Sequence, residues 1–106
     1  MNSPPTSDGS APDESHGAIT RILKIVNEKG LHARASAKFV QMVEKFDAKV
    51  TVERAGESAG GDSIMGLMML AAGIGTSITV TATGAQAQEV ITALDALVST
   101  KFGEEE

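Results

Sequence analysis

A histidine and an arginine stand where a loop is predicted to run into a helix, and they are the residues best placed for chemistry. They are His32 and Arg34, in the stretch GLHARASAK over residues 30–38. The first backbone N–H groups of a helix have no partner within it, and the helix dipole is positive there, so an anion beside His32 is stabilised. The same field, with Arg34, favours a neutral ring nitrogen able to accept a phosphoryl group. On these residues alone, the alternative is a histidine that only caps the helix.

The composition of the chain excludes several other kinds of catalytic or metal site. The 106 residues contain no cysteine, which excludes a disulfide framework, a thiolate metal site and a cysteine nucleophile. The second histidine, His16, lies in a stretch rich in proline, serine and glycine, and we expect it to be solvated. The sequence shows no glycine-rich nucleotide loop and no pair of carboxylates that could be placed together. We therefore expect neither a metal nor an organic cofactor.

The acidity of the chain lies at its two ends. The net charge is -5, yet residues 19–103 hold eight acidic against nine basic residues. Three of the bases, Lys29, Arg34 and Lys38, surround His32, with Glu28 as the nearby acid. This local positive field suits a small anion, but it is too small and too poor in aromatic residues for a nucleic-acid surface.

The chain divides into one domain with two tails. Residues 1–18 contain all three prolines and little apolar surface, which predicts a disordered N-terminal tail, and residues 103–106 form an acidic C-terminal tail. No apolar run approaches the roughly 18 residues of a membrane span. We expect residues 19–102 to form a single cytoplasmic domain that is monomeric and does not insert into membranes.

Hydrophobic periodicity predicts seven elements within that domain. Alternating or continuous short apolar runs indicate strands over residues 20–26, 49–54, 57–61 and 76–83. Apolar residues at helical spacing indicate helices over residues 34–46, 63–72 and 86–102. The order β-α-β-β-α-β-α predicts an open-faced α/β sandwich of the α+β type, with a four-stranded antiparallel sheet and three helices on one face.

The second predicted helix is apolar around nearly its whole circumference. A small open-faced fold buries only one side of it, and we expect Leu67, Leu70 and Ala71 to face inward. Its outer side then forms an adaptable docking surface, because flexible methionine side chains suit several partners. The alternative is a fully buried helix. The residues expected to bind partners are Ile64, Met65, Met68 and Met69.

Two motifs resemble those of a known family. GLHARASAKFV is similar to the active-site signature of HPr, the histidine-containing phosphocarrier of the bacterial phosphoenolpyruvate-dependent phosphotransferase system. DSIMGLMML, over residues 62–70, resembles that family's second characteristic segment. The resemblance implies the HPr fold and phosphorylation of His32 on Nδ1 by phosphorylated enzyme I. It further implies reversible transfer to a histidine on an enzyme IIA domain, with Arg34 touching the phosphoryl group and no cofactor.

The same resemblance gives Ser63 a second role. From the sequence, Ser63 or Asp62 caps the second helix. In HPr-like proteins the matching serine can be phosphorylated by HPr kinase/phosphorylase, which would place negative charge beside the docking surface. Asp62 opposes that modification, because its negative charge would lie next to the added phosphate. Ala35 is a further departure, because the family commonly has proline there, which suits a first helical turn.

Two other functions remain as alternatives to a carrier. One is a small metabolite-binding regulatory module on a ferredoxin-like fold, which predicts a dimer and gives His32 no special role. The other is a free-standing hydrolase, for which no pair of nucleophile and general base can be named. For a carrier, the sequence favours neither sugar transport nor a nitrogen-related regulatory branch.

Overall fold

Seven elements and a short terminal turn make up the part of the chain that the computed structural model describes, residues 18–104. The predicted tail up to residue 17, with His16, lies outside the described residues, as do the last two glutamates. The elements are β1 (Ile19–Lys24), α1 (Ala33–Val43), β2 (Lys49–Arg54), β3 (Glu57–Gly60), α2 (Ile64–Met69), β4 (Ser77–Thr83) and α3 (Ala87–Ser99), followed by a 3-10 turn (Lys101–Gly103).

The strands form one antiparallel sheet in the order β1-β4-β2-β3. Their alternation places apolar side chains on one face, where Val52 and Val80 pair across β2 and β4 and are fully buried. The opposite face is open: Ile22 of β1 pairs with Thr79 of β4, and its side chain is 68% exposed. The predicted four-stranded sheet with one covered face is confirmed.

The three helices cover the apolar face of this sheet. Helix α3 packs on β1 and β4, and α1 packs against both α2 and α3. Phe39 of α1 and Leu94 of α3 are fully buried in this layer, and burying a side chain of that size contributes about 1.5–3 kcal/mol. The predicted open-faced sandwich and its element order are therefore confirmed. None of the helices described between residues 18 and 104 is both long and apolar enough to cross a membrane.

All three helices end earlier than the periodicity predicts, α1 at Val43 instead of residue 46. Helix α2 ends at Met69, and Ala71 takes a left-handed backbone conformation with φ of 54°, a common way to terminate a helix. Ala71 is consequently exposed, and Ala72 is buried instead, so the expectation that Ala71 faces inward is wrong. Helix α3 ends at Ser99, and Phe102 then turns back into the core with only 1% exposure.

Candidate functional site

The loop before α1, residues 27–32, rests against the segment that follows α2. Gly30 has φ of 63°, and a Cβ atom there would lie 2.2 Å from the carbonyl oxygen of Ala72. The backbone N–H of Leu31 donates to that same oxygen at 2.9 Å. Only glycine permits both the left-handed backbone and this close approach. The loop that carries the histidine is therefore fixed to the end of the second helix.

His32 is the N-cap of α1. Its Nδ1 atom accepts a hydrogen bond from the backbone N–H of Arg34 at 3.3 Å, and its carbonyl oxygen accepts from the N–H of Ser36 at 2.8 Å. The buried Ser36 hydroxyl also donates to the carbonyl oxygen of Leu31 at 3.2 Å, which fixes the residue before the histidine. The capping role considered from the sequence is thus present, and it engages the nitrogen that the resemblance names as the phosphoryl acceptor.

The other ring nitrogen of His32 contacts a residue that sequence reasoning missed. Nε2 lies 2.5 Å from Oε2 of Glu104. The second carboxylate oxygen, Oε1, accepts from the side-chain amide of Asn27 at 3.2 Å, and the same amide donates to the carbonyl oxygen of Gly30 at 2.9 Å. An ionised carboxylate only accepts hydrogen bonds, so Nε2 carries the proton, and Nδ1, which accepts from the N–H of Arg34, is unprotonated.

The surroundings of Glu104 favour its ionised form. Burial raises the pKa of this carboxyl, but hydrogen bonds from His32 and Asn27 and attraction to His32 and Lys38 outweigh burial, and the pKa lies below its ordinary value of 4.5. The Glu104 and His32 side chains are 13% and 27% exposed. Glu104 is therefore an anion at neutral pH, held against the histidine in a partly desolvated position.

The terminal 3-10 turn brings Glu104 to this position. Lys101 and Phe102 both have left-handed backbone conformations, with φ of 61° and 57°. The buried Phe102 ring and a 2.7 Å hydrogen bond from Nζ of Lys38 to the Phe102 carbonyl oxygen hold the turn. The sequence offered one signal for it, a large apolar residue and a glycine before a run of glutamates, but the periodic pattern extends the helix through Phe102 and conceals it.

A cationic cleft opens beside the histidine. Its volume is about 590 Å³, and it is lined by three bases, Lys29, Arg34 and Lys38, and by two acids, Glu28 and Glu104. Arg34 is exposed, and within residues 18–104 its guanidinium has no hydrogen-bond or ion-pair partner. The structure thus brings His32 and Arg34 together and leaves the Arg34 side chain available to an anion. In the same described range, no three metal-binding side chains cluster as a metal site.

The second motif presents an exposed apolar surface. Ser63 is the N-cap of α2, and its Oγ accepts from the N–H of Gly66 at 3.0 Å. Leu67 and Leu70 face inward as expected, whereas Met65 and Met69 are 68% and 71% exposed, so the alternative of a fully buried helix is wrong. We call the exposed set the apolar patch: Ile64, Met65, Met68 and Met69.

A shallow groove lies between the histidine and the segment that follows α2. Its volume is about 200 Å³, and it is lined by Lys29, Leu31 and His32 on one side and by residues 71–73 on the other. Ile74, which the sequence reasoning did not single out, is 56% exposed in the loop that follows. The groove therefore lies between the loop that carries the histidine and the segment that follows α2.

The sequence of this domain matches a family of phosphocarrier proteins. Residues 19–100 match the family described as "PTS HPr component phosphorylation site". The chain is 47% identical over 88 residues to the phosphocarrier protein HPr of Cupriavidus necator, covering 83% of this chain and 99% of that protein. It is 38% identical over 86 residues to the phosphocarrier protein NPr of Shewanella violacea, covering 81% of this chain and 94% of that protein.

The solved structures agree with this match. The crystal structure of HPr from Thermoanaerobacter tengcongensis superimposes with a TM-score of 0.79 at 39% identity, covering 83% of this chain and 99% of that one. The chain belongs to the HPr family, the phosphocarrier proteins of the phosphotransferase system. Membership favours the carrier over the metabolite-binding module and the hydrolase, because a phosphocarrier role comes with the family.

Proposed function

We propose that His32 accepts a phosphoryl group on Nδ1 from phosphorylated enzyme I and passes it to a histidine on an enzyme IIA domain. The observation that carries this proposal is the unprotonated Nδ1 at the start of α1, whose electron pair accepts only the long bond from the Arg34 N–H while Nε2 is engaged by Glu104. Among the described residues, no other imidazole offers this chemistry.

The transfer needs little rearrangement at the helix start. The electron pair of Nδ1 forms the bond to phosphorus as the donor's N–P bond breaks, and the donor nitrogen keeps its own electron pair. The 3.3 Å bond from the Arg34 N–H to Nδ1 is long and gives way, so this N–H donates to a phosphoryl oxygen instead. The unpaired Arg34 guanidinium holds the remaining charge by charge-assisted hydrogen bonds. Both ends of the relay are phosphohistidines, so the transfer is reversible.

The apolar patch is the proposed docking surface for both partners. Four large apolar side chains are exposed on one short helix, and surfaces of this kind mark interaction sites on small proteins. Methionine side chains adapt their shape to different partners. Enzyme I and enzyme IIA domains therefore bind the same surface in turn, with His32 next to it.

Ser63 is a proposed site of regulation by an HPr kinase/phosphorylase. Its hydroxyl caps α2 directly before Ile64, so a phosphate there lies at a helix N-terminus and beside the patch. The added charge, about -1.5 to -2, is tolerated by the helix but repels acidic partners. The exposed carboxylate of Asp62 is adjacent and opposes the modification. Regulation at Ser63 acts by weakening docking.

The proposed setting is a cytoplasmic monomer. Sugar transport and nitrogen-related regulation use the same histidine chemistry. Comparing the rate of transfer to the IIA domain of a sugar permease with the rate to a regulatory IIA domain therefore distinguishes the two branches.

The position commonly occupied by proline in the family is Ala35, which is fully buried. The helix start is accordingly fixed by packing and by the His32 cap rather than by a proline ring.

Labelling with enzyme I and radiolabelled phosphoenolpyruvate tests the proposal. The wild-type chain is expected to carry an acid-labile, alkali-stable label, and H32A is expected to carry none while keeping its fold by circular dichroism. The matched control is H16A, which removes the other histidine of the sequence and retains full labelling. A label that persists in H32A, or a wild-type chain that enzyme I does not label, overturns the proposal.

A further inference from the structure

The apolar patch is also the part of the chain richest in sulfur. The sequence holds five methionines and no cysteine, so thioethers are the only sulfur groups that this chain offers to an oxidant. Three of the five, Met65, Met68 and Met69, lie within the six residues of α2. The oxidisable sulfur of the chain is therefore concentrated on the proposed docking surface.

The methionines differ in how readily a dissolved oxidant reaches them. Met65 and Met69 are 68% and 71% exposed, whereas Met68 is 39% exposed. Met42 of α1 is partly buried and packs against the hydrophobic core. Because oxidation requires access to the sulfur atom, Met65 and Met69 are the most reactive thioethers within residues 18–104.

Met65 and Met69 lie on the same side of α2, away from the core. They are four residues apart, and residues at this spacing lie one above the other on a helix. The inward side of α2 is formed by Leu67 and Leu70, which are 0% and 4% exposed. A polar atom added to Met65 or Met69 thus lies in solvent and leaves the packing of the core unchanged.

We propose that Met65 and Met69 form a redox-sensitive site, whose oxidation to methionine sulfoxide by a peroxide weakens docking on the apolar patch. This inference rests on the proposed docking role of the patch. With hydrogen peroxide, an electron pair of the sulfur attacks one peroxide oxygen, and the S–O bond forms as the O–O bond breaks. The departing hydroxide takes the proton of the transferred oxygen, so the products are sulfoxide and water. The sulfur loses two electrons, and the peroxide gains them.

The sulfoxide changes the chemistry of the surface rather than the fold. Its oxygen is a hydrogen-bond acceptor, and an apolar partner surface offers it no donor, so docking buries this oxygen without a partner. Binding is therefore expected to weaken by about tenfold or more.

The oxidation is reversible only with outside help. Methionine sulfoxide reductases restore the thioether: two thiols of the reductase supply two electrons and become a disulfide, and the oxygen leaves as water. The chain contains no thiol of its own, so its recovery depends on such a reductase.

The rate of oxidation at each methionine is measured without any partner protein. The full chain is treated with hydrogen peroxide, catalase stops the reaction, and peptide mass spectrometry gives the oxidised fraction at each position. Met42 is the internal control, because it belongs to the same chain and is partly buried. Met65 and Met69 are expected to oxidise several-fold faster than Met42, and equal rates overturn the inference.

The effect on docking is measured by calorimetry with enzyme I after the peroxide has been removed. Leucine has nearly the volume of methionine but no sulfur, so the test chain is M65L/M69L and the matched control is M42L. Peroxide is expected to raise the Kd of the wild type and of M42L by about tenfold, and methionine sulfoxide reductases A and B are expected to restore it. M65L/M69L is expected to keep its affinity after peroxide.

Two results contradict the inference directly. One is an unchanged Kd in a wild-type chain whose Met65 and Met69 are fully oxidised, and the other is an equal loss of affinity in M65L/M69L. Circular dichroism of the oxidised chain is expected to match that of the untreated chain, and an unfolded oxidised chain also overturns the inference. Failure of enzyme I to bind the untreated wild type overturns the proposed function, whereas normal binding before peroxide and unchanged binding after it overturns this inference alone.

Discussion

The Nε2 atom of His32 lies 2.5 Å from Oε2 of Glu104, and this contact ties the last described residue of the domain to the first helix. It is one of three links between these regions, with the Asn27 bond to the same carboxylate and the Lys38 bond to Phe102. The terminal turn is therefore a wall of the candidate site, and it supplies the site's anionic side chain.

The pH dependence of stability follows from the lowered pKa of Glu104. The unfolded chain binds more protons than the folded chain between the folded pKa and the ordinary value of 4.5, so Glu104 stabilises the fold fully above that window. The contribution is lost as the pH falls through the folded pKa. Urea unfolding of the wild type and E104Q is expected to give a stability difference that shrinks as the pH falls below the ordinary value of 4.5. A pH-independent difference contradicts this.

Replacing Arg34 with alanine is expected to slow transfer more than it weakens docking. The guanidinium has no partner within residues 18–104, so its removal should leave the fold intact and withdraw a donor from the phosphoryl group. A loss of about 10²-fold in the single-turnover rate is expected, with a partner Kd close to that of the wild type. Rapid-quench kinetics and calorimetry give the two quantities, and a weaker Kd with an unchanged rate refutes the assignment.

Met65 and Ile22 allow a matched test of the docking surface, because both side chains are 68% exposed. Met65 belongs to the apolar patch, while Ile22 lies on the open face of the sheet. The M65E variant is expected to raise the KM for enzyme I by about tenfold or more, the effect of losing a central interface residue. I22E introduces the same charge at the same exposure and should leave KM unchanged. Equal effects of both variants argue against the patch.

Substitutions of Ser63 separate its capping role from its proposed regulatory role. Asparagine and aspartate both cap helices well, but only aspartate adds charge. S63N is therefore expected to behave like the wild type, whereas S63D should raise KM for enzyme I several-fold with little change in stability. S63A should lose about 0.5–2 kcal/mol of unfolding free energy and keep its transfer rate. A KM for S63D equal to that of S63N would show that charge at this position does not affect docking.

The fold was predictable because its patterns are local. Apolar and polar residues alternate along β4, and apolar residues recur at helical spacing along α1. Both patterns involve residues close together in the chain, and each gives an apolar side that must be buried against the other. The apolar patch was predictable for a related reason, since a short helix on a small sheet buries only one side. Ala71 was predicted wrongly because the left-handed backbone that ends α2 changes which residues face inward.

Glu104 was not predictable from these patterns. Its contact with His32 depends on two consecutive left-handed residues and on the buried ring of Phe102, which are products of tertiary packing. A helical continuation through Phe102 satisfies the periodicity equally well and directs the acidic residues elsewhere. His32 and Arg34 were found because a helix start is a local feature, whereas the partner of His32 lies 72 residues away.

The close approach of Gly30 to the carbonyl oxygen of Ala72 fixes the spacing between the histidine ring and the helix that bears the apolar patch. In the proposed relay this separates recognition from reaction, because a protein that docks on the patch would meet the ring at a constant distance. Donors and acceptors of unrelated architecture can then evolve independently, provided that each keeps a complementary apolar surface and a histidine at that same distance.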